Sequence, residues 1–320
     1  MDLPLEHLRT FAAVVDSGSL EAAAKLLHIS PSAVSQRLRS MEERIGAVLL
    51  RRTRPVAVTE AGATVLRAAR QLAQIVEDVA AEFDQRTERG SLVRLVINAD
   101  SLATWFVPAL ARAASETGAR FEVLRADETI STEKLRSGEV MAALTATSEP
   151  VPGCVSTLLG VDQYHAVAAP EFHRAHFGRG VTAAALMSAP MVEFDRFDMF
   201  QQRFISECVR AESGAATATA PTTAPQGSTG PPRNFVPSSA EFALAVELGM
   251  GWGMLPRLQC AEALRRGTLV ELIPGRSLPL PLYWQRWDLR SPVLDALSEI
   301  VAQEAERALS PTSVEYAARL

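Results

Sequence analysis

One short helix of the predicted N-terminal region carries side chains suited to reading DNA bases. In the stretch SPSAVSQRLR, Ser30 is a predicted N-cap and Pro31 takes the first helical position, where its missing N–H costs nothing. An apolar stripe on this helix is predicted to be buried and consists of Val34, Leu38, Met41 and Ile45. The opposite face carries Ser32, Ser35, Gln36 and Arg39. Short polar and guanidinium groups on a helix can bond base edges in the major groove, so this face is a candidate reading face.

Basic side chains surround the same helix and could neutralise phosphates. They are Arg37 on the flank of the helix and Arg51, Arg52 and Arg54 in the segment that follows. Positions 21–58 hold seven Lys and Arg against three Glu, a local charge of +4, although the whole chain has a net charge of −5. A polar helix face alone is also typical of an ordinary solvated surface. The small Ala23–Ala24 pair, the turn, the capped start and the basic segment together favour DNA binding over that alternative.

The elements that position these side chains follow from helix and turn signals. A first helix ends at Gly18, Ser19 caps a second helix, and VLLRRTRPVAVT predicts two short strands that join at Arg54 and Pro55. We therefore predict a winged helix-turn-helix DNA-binding domain at 1–58. Thr59 then caps a long helix, within a predicted linker at 59–90. Its apolar seam consists of Val65, Ala69, Leu72, Val76, Val79 and Phe83. Such a seam favours pairing with a second copy, although packing within one chain is the alternative.

Beyond the polar stretch QRTERGS, strands and helices alternate as in an α/β domain. LVRLVIN, FEVLRAD and VMAALTA predict buried strands, and YHAVAAP, MVEFD, NFVPS, GWGMLP and LVELIP continue the series. A final helix begins after Ser291–Pro292. The predicted domain covers 91–310 and is long enough for two lobes. Its segment 211–233, rich in Ala, Thr, Pro and Gly, predicts a disordered surface insert.

Composition and motifs bear on the other classes of protein. We find no apolar run of membrane-spanning length and no signal-peptide pattern, which favours a cytoplasmic protein. The three distant cysteines, Cys154, Cys208 and Cys260, predict free buried thiols rather than disulfides or a metal site. HRAH at 173–176 has the spacing of a metal pair but lacks an acidic third ligand and is predicted to lie in a loop. With no phosphate loop, GxSxG or Cys–His setting, the sequence predicts no enzyme, no cofactor and no bound metal.

The segment AAAKLLHISPSAVSQRLRSMEERIGAVLLRR, followed by VTEAG, resembles the winged helix-turn-helix and linker helix of LysR-type transcriptional regulators. Further motifs resemble the ArgP/LysG branch of that family, whose members sense lysine or arginine and control a basic amino acid exporter. They are NADSLATWFVPAL, the DET of 127–129, LRSGEV, VPGC and PLYWQRW. Leu50, where most of the family has phenylalanine, is similar to that branch as well.

The resemblance implies an N-terminal all-α winged helix-turn-helix plus linker helix and a C-terminal effector domain. That domain would be an α/β fold like a periplasmic binding protein, with a ligand held between two lobes. It also implies double-stranded promoter DNA, a lysine or arginine effector, RNA polymerase and a homodimer or homotetramer as partners. Lysine and arginine stay open as alternatives.

Residues near predicted strand ends agree with an amino acid ligand. Asp100 and Ser101 end a strand and open a helix, where free N–H groups and the hydroxyls of Ser101 and Thr104 could hold a carboxylate. The two cations of a basic amino acid need anionic partners, for which the candidates are Asp127, Glu128 and Asp195, with Asp198 nearby. Ser238 and Ser239, at the start of SAEFALAVELG, are further candidates, with a simple N-cap role as the alternative.

Two other functions remain open at this point. One keeps the DNA-binding half but gives the sensor another small-molecule ligand. The other is a solute-binding or catalytic α/β protein whose N-terminal helices only dimerise it. The basic helix with the candidate reading face and the lack of a signal-peptide pattern argue against this last hypothesis.

Overall fold

The structure of the chain is a computed structural model that describes residues 3–51, 53, 55–83, 91–125, 128–213 and 231–310. It forms two compact units. The first contains Met1–Asn98, Ala109–Thr157 and Tyr283–Val301, and the second contains Ala99–Pro108, Leu158–Leu282 and Ala302–Leu320.

Three helices with predicted caps begin the first unit. They are α1 (Leu5–Ser17), α2 (Leu20–Leu26) and α3 (Pro31–Ile45). Gly18 ends α1 in the left-handed conformation, at φ 73°. The hydroxyls of Ser19 and Ser30 accept the N–H groups of Ala22 and Ala33, which confirms both predicted caps. The short turn before α3 contains His28, which has a positive φ of 54° although it is not glycine.

The wing and the long helix follow as predicted. Strands β1 (Leu50–Arg51) and β2 (Ala57–Val58) pair antiparallel, and α4 (Glu60–Phe83) begins directly after them. Of the predicted seam on α4, Ala69 is buried in the core formed by α1, α2 and α3, and Val65 packs partly buried against it. Farther along, Leu72, Val76 and Val79 are 39–50% exposed. The predicted seam therefore divides into a buried half and an exposed half. The side chain of Phe83 lies outside the described residues.

One end of a larger sheet completes the first unit. Its strands here are β3 (Leu92–Ile97), β4 (Arg120–Arg125) and β5 (Ala142–Thr145), with the last residues of β11 (Ser277–Trp287) beside β5. The β3 strand runs parallel to β4 and β5, whereas β11 pairs antiparallel with β5. The helices of this α/β part are α6 (Val107–Thr117), α7 (Glu128–Arg136) and the first part of α13 (Pro292–Ala308).

The second unit contains the other half of the α/β domain. The long strand β6 (Cys154–Ala168) pairs antiparallel with β9 (Gly253–Pro256) and β10 (Val270–Glu271), and β7 (Met191–Glu193) pairs parallel with β8 (Arg233–Phe235). The helices are α5 (Ala99–Ser101), α8 (Pro170–Phe177), α9 (Ala183–Ser188), α10 (Phe200–Ser213), α11 (Ser239–Glu247) and α12 (Arg257–Arg266). A π-helical turn, Leu102–Phe106, follows α5 directly. The predicted α/β class is confirmed.

Two local predictions are wrong. The HRAH segment lies in helix α8 rather than in a loop, because Pro170 starts a helix whose Phe172 and Phe177 are buried. The insert is also shorter than 211–233, since α10 continues through Ser213 and β8 begins at Arg233. The Ala-rich composition that follows concealed the last residues of α10, a helix whose buried residues Phe204 and Cys208 lie farther toward its start. Residues 214–230 lie outside the described part of the chain.

The three cysteines are free and buried, as predicted. Burial raises the pKa of Cys154 to about 11 and that of Cys260 to about 12, so both are uncharged thiols at neutral pH. Of the helices that the structure describes, none is both long and apolar enough to cross a membrane.

Candidate functional site

The reading helix α3 presents the predicted polar face. Val34, Leu38 and Met41 are buried, and Ser32, Gln36 and Arg39 on the other side are exposed, with Ser35 half-buried. The hydroxyl of Ser32 is 2.8 Å from that of the cap residue Ser30. The cap fixes the first turn, so the start of this face is held rigidly by the local sequence.

The basic residues around α3 have different surroundings. Arg37 donates to a carboxylate oxygen of Glu6 at 2.8 Å and to the hydroxyl of Thr10 at 3.1 Å, so its guanidinium joins α3 to α1. Arg51 on β1 is exposed. Arg52 and Arg54 lie outside the described residues.

The wing is attached to both α3 and α4. A carboxylate oxygen of Glu42 accepts the N–H of Leu49 at 2.8 Å, which fixes the wing against the end of the reading helix. The Thr59 hydroxyl donates to the carbonyl of Val48 at 2.7 Å and accepts the N–H of Gly62 at 3.0 Å. A Cβ at Gly62 would lie 2.1 Å from the carbonyl oxygen of Leu49, so only glycine lets α4 approach the wing this closely.

A polar cluster in the second unit centres on Asp100. One oxygen of its carboxylate accepts the hydroxyl of Tyr164 at 2.6 Å, and the other accepts the hydroxyl of Ser239 at 2.6 Å. These are short, charge-assisted hydrogen bonds. They bring together α5, β6 and α11, which are far apart in sequence. Each carboxylate oxygen keeps a further lone pair, so Asp100 can accept another N–H.

A second carboxylate lies on the same strand as Tyr164. Asp162 is 5% exposed, and burial together with the negative charge of Asp100 raises its pKa to about 7. The pKa of Tyr164 is raised well above its ordinary value by burial and by the charges of Asp100 and Asp162, so it is a neutral hydrogen-bond donor. The cluster therefore concentrates negative charge in a poorly solvated place, where a cation would be stabilised.

The start of α11 has a different arrangement from a simple cap. Ser238 is the N-cap residue, but its hydroxyl donates to a carboxylate oxygen of Glu241. Ser239 is buried, and Gln259 of α12 donates to its carbonyl at 2.6 Å and contacts its hydroxyl at 3.1 Å. The Ser239 hydroxyl is thus oriented from two sides toward Asp100.

The acids after β7 are held by the backbone of their own loop. Asp195 accepts the N–H groups of Phe197 and Asp198 at 2.7 and 3.0 Å. Asp198 accepts those of Phe194 and Phe200, both at 3.0 Å, and burial raises its pKa. The ring of Phe200 stacks on Tyr164, with centroids 4.1 Å apart, so this loop contacts the Asp100 cluster.

The remaining predicted effector residues are Ser101, Thr104, Asp127 and Glu128. Ser101 is buried, and the Thr104 hydroxyl donates to the carbonyl of Asp100 at 2.7 Å, which leaves its oxygen able to accept. Asp127 and the side chain of Glu128 lie outside the described residues. Among the residues that the structure describes, no group of three or more His, Cys, Asp or Glu has the arrangement of a metal site.

Sequence reasoning missed three members of the cluster: Asp162, Tyr164 and Gln259. Asp162 and Tyr164 stand two positions apart, so they share one face of β6, in the otherwise largely apolar stretch VDQYHAVAA. A buried strand with polar residues at i and i+2 on one face was the signal that could have identified them. Gln259 had no comparable signal, because only the tertiary fold brings α12 beside Ser239.

Comparisons with known proteins agree with both halves of the chain. The model of the bacterial regulatory helix-turn-helix proteins of the LysR family matches residues 5–63, and that of the LysR substrate binding domain matches residues 86–306. The chain is 34% identical to the HTH-type transcriptional regulator ArgP of Pseudomonas fluorescens, over 95% of this chain and 97% of ArgP. It is 35% identical to the lysine export transcriptional regulatory protein LysG of Corynebacterium glutamicum, over 95% of this chain and 99% of LysG.

The fold agrees as well. The solved structure of full-length LysG from Corynebacterium glutamicum with bound effector Arg superposes with a TM-score of 0.81 at 33% identity, covering 96% of this chain and 100% of LysG. The predicted fold is confirmed, with a winged helix-turn-helix and linker helix before a two-lobed α/β effector domain. The relatives are transcriptional regulators, so the prediction that the chain is not an enzyme is also confirmed. The chain belongs to the LysR family of bacterial transcriptional regulators, in the branch of ArgP and LysG.

Proposed function

We propose that this regulator senses a basic amino acid, lysine or arginine, and controls a gene for a basic amino acid exporter. The observation that carries the proposal is the Asp100 carboxylate, held by the hydroxyls of Tyr164 and Ser239 at 2.6 Å beside the buried Asp162. The solved LysG structure with bound effector Arg and the printed name of LysG, a lysine export regulator, support the effector class and the target.

The chemistry of the cluster suits a cationic group. An ammonium or guanidinium can donate to the remaining lone pairs of Asp100, and it offsets the repulsion between Asp100 and Asp162. A ligand without a cationic group offers no such compensation. The cluster therefore favours a cationic ligand, and a basic amino acid supplies two cations, its α-ammonium and its distal group.

The other predicted effector residues keep their roles as part of this proposal. Asp127, Glu128 and Asp195 are partners for the second cation. Ser101 and Thr104 are hydrogen-bond partners for the carboxylate of the ligand, and Ser238 and Ser239 are further polar contacts for the ligand. A substitution at each of these residues can be tested by the same ligand titration as Asp100→Asn.

The DNA-binding half is proposed to bind promoter DNA through the reading face of α3. Ser32, Gln36 and Arg39 are exposed on it, and Arg51 with the predicted contacts Arg52 and Arg54 would neutralise phosphates. Arg37 supports this face indirectly, because its ion pair with Glu6 fixes α3 against α1. Ligand binding would alter promoter binding or contact with RNA polymerase.

We also propose that α4 pairs with the same helix of a second copy, in a homodimer or homotetramer. Its exposed apolar residues are Leu72, Ile75, Val76 and Val79. A charge at Leu72 would be unpaired in such an interface, which costs several kcal/mol. Sedimentation of Leu72→Asp should therefore give a smaller species than the wild type, and an unchanged oligomer would contradict pairing through this face.

Calorimetric titration of the full chain with lysine, arginine and norleucine tests the effector. We expect at least one basic amino acid to bind far more tightly than norleucine, since norleucine lacks the distal cation. Asp100→Asn should cost about 2–5 kcal/mol of affinity for that ligand, as the loss of one partner of a buried charge pair does. Ser239→Ala should cost about 1 kcal/mol.

Glu171→Gln is the matched control, because it neutralises an exposed carboxylate in the first turn of α8 that contacts Arg174 rather than a residue of the proposed site. Promoter binding without ligand should survive all of these changes. Equal affinity for norleucine and lysine, or wild-type affinity in Asp100→Asn, would contradict the basic amino acid assignment. The chain would then still be a DNA-binding regulator, but its effector would be another small molecule.

A further inference from the structure

Two glycine turns of the first unit lie against the linker helix α4, and each belongs to a short motif of the sequence. Gly138 is part of LRSGEV and Gly153 is part of VPGC, with φ 73° and 79°. A Cβ at Gly138 would lie 2.8 Å from the Cα of Arg67 and 3.3 Å from its Cβ, and one at Gly153 would lie 3.5 Å from its Nε. Together the two turns form a notch that holds Arg67, which we call the glycine notch.

Glycine is required at position 138 for two independent reasons. A φ of 73° is strained for a residue that has a Cβ. In addition, a Cβ there would meet the backbone of α4, which cannot rotate away as the end of a flexible side chain can. Gly153 differs, because a Cβ there would be in ordinary contact with the Arg67 side chain. A side chain at position 138 would therefore push α4 out of the notch.

The end of α7 adds polar contacts to the same part of α4. The last carbonyls of a helix have no donor within the helix, and they form the negative end of its dipole. Arg67 donates to the carbonyl of Arg136 and Arg70 donates to that of Ser137, both at 3.4 Å. Each bond is long and therefore weak. The two guanidinium groups nevertheless stand where a positive charge is favoured.

The notch is anchored firmly in the α/β part of the first unit. Leu135 and Val140, on the two sides of the Gly138 turn, are fully buried. The carbonyl of Gly153 accepts the N–H of Asp288 at 3.1 Å. Because Leu135 belongs to α7 itself, the Gly138 turn is a direct continuation of that helix and moves with it.

The other side of α4 belongs to the DNA-binding helices. Leu66 and Ala69, the neighbours of Arg67 and Arg70 along α4, are buried in the core of α1, α2 and α3. Arg70 also forms an ion pair with Asp16 of α1. One turn of α4 thus contacts the helix-turn-helix on one side and the glycine notch on the other.

Helix α7 connects this contact to the predicted effector residues. It begins at Glu128, next to Asp127, and ends at Arg136 beside the notch. A displacement at its first turn is therefore carried to Gly138 and Arg67. An effector can shift such an arrangement only if it binds the docked and released forms of α4 with different affinities.

We propose that the glycine notch is the joint through which the effector domain controls the DNA-binding helices. In the docked form, Arg67 lies in the notch and α4 is fixed to the α/β part. In the released form, α4 and the reading helix are free to change orientation. The inference rests on the proposed function for the choice of effector, but the notch itself is tested without one.

Operator binding by the full chain, with and without saturating lysine or arginine, tests the joint. We expect the wild-type affinity to change by at least about fivefold with one of these amino acids, the lower end of ordinary allosteric coupling. Gly138→Ala should reduce this change to less than about twofold, because α4 is already released. Gly118→Ala is the matched control: Gly118 follows α6 with φ 67°, and a Cβ there meets no described atom within 4 Å. It should keep the wild-type response.

Two measurements without an effector separate the joint from the proposed function. Gly138→Ala should weaken operator binding about fivefold relative to Gly118→Ala, since a released α4 must be ordered again on DNA. Hydrogen exchange in peptides that cover 63–70 should be faster in Gly138→Ala but not in Gly118→Ala. A wild type that does not respond to either amino acid would contradict the proposed effector, and these two measurements would still decide whether the joint exists.

A second variant covers the case in which Gly138→Ala folds poorly. Arg67→Ala empties the notch without backbone strain and should also reduce the response to the effector, whereas Arg67→Lys, which keeps the charge, should reduce it less. Arg174→Ala removes an exposed arginine of α8 and should leave the response unchanged. Wild-type operator affinity and exchange in both Gly138→Ala and Arg67→Ala, or equal losses in Gly118→Ala, would overturn the proposal.

Discussion

The reading helix and the Asp100 cluster are assembled in opposite ways. The cap of α3 joins Ser30 to the N–H of Ala33, three positions away, and the whole reading face lies within one helix. Asp100 instead bonds Tyr164 and Ser239, which are 64 and 139 positions away. The reading face is therefore fixed by local sequence, whereas the cluster exists only when a complete lobe has folded around it.

The two regions also differ in their effect on the stability of the folded chain. Polar residues on α3 point to solvent, so they keep their hydration. Asp162 is buried beside Asp100, and this arrangement penalises the charged form of Asp162. The fold thus loses stability at the Asp100 cluster but not at the reading face. The first of three predictions tests this loss of stability, and the other two test whether the regions act independently.

The largest expected effect is a pH dependence of stability that comes from Asp162. Its pKa rises from 3.8 to about 7 in the folded chain, a difference of about three pH units. Between these values the folded chain holds more protons than the unfolded chain, so the free energy of unfolding falls as the pH rises through this window. At 1.36 kcal/mol per pH unit, the fall is at most about 4 kcal/mol. Denaturant unfolding measured between pH 4 and 8 checks this value.

Two variants isolate the cause. Asp162→Asn should remove this part of the pH dependence, whereas Glu116→Gln changes an exposed acid on α6 and should leave it in place. A basic amino acid bound at Asp100 should also flatten the dependence, because its positive charge favours ionised Asp162. If Asp162→Asn kept the wild-type dependence of the unfolding free energy on pH, burial of Asp162 would not be the source of the lost stability, and the proposed difference between the two regions would be wrong.

A second, smaller effect is expected at the junction of the wing and α4. Gly62→Ala places a Cβ against the carbonyl of Leu49, and the resulting displacement should cost about 3 kcal/mol of stability. Because the change is local, promoter affinity should fall while effector affinity is retained. Thr64→Ala, at an exposed position on the same turn, is the control. If titrations showed that Gly62→Ala also weakens binding of the effector, the two regions would not be independent.

The smallest expected effect concerns individual contacts of the reading face. Gln36→Ala and Arg39→Ala should each weaken specific DNA binding by about 2 kcal/mol, because base-edge hydrogen bonds are lost. Arg51→Ala, on the wing, should weaken all DNA alike and reduce the salt dependence. Binding assays with operator and random DNA at several salt concentrations distinguish these outcomes. If all three variants lost affinity for operator DNA and random DNA by the same factor, α3 would not be the element that reads the bases.

The same contrast explains what could be predicted from the sequence. The caps at Ser19, Ser30 and Thr59 and the stripe at Val34, Leu38 and Met41 are patterns within a few residues, and the structure confirms them. The role of Asp100 as an acceptor for Tyr164 and Ser239 depends on the packing of three distant elements. Helix α8 was missed because HRAH is polar, although Phe172 and Phe177 bury its other side.

The π-helical turn after Asp100 has a consequence for how this cluster tolerates change. A π-helical turn holds one residue more than an α-helical turn, so it behaves as a single-residue insertion inside the helix. Because the turn takes up this extra residue, deleting one residue between Leu102 and Phe106 would restore α-helical spacing and leave Asp100 facing nearly the same way relative to the buried Trp105 and Phe106. Its two short bonds to Tyr164 and Ser239 would therefore survive the deletion. This turn is thus a place where the length of the chain can change by one residue without moving the Asp100 carboxylate.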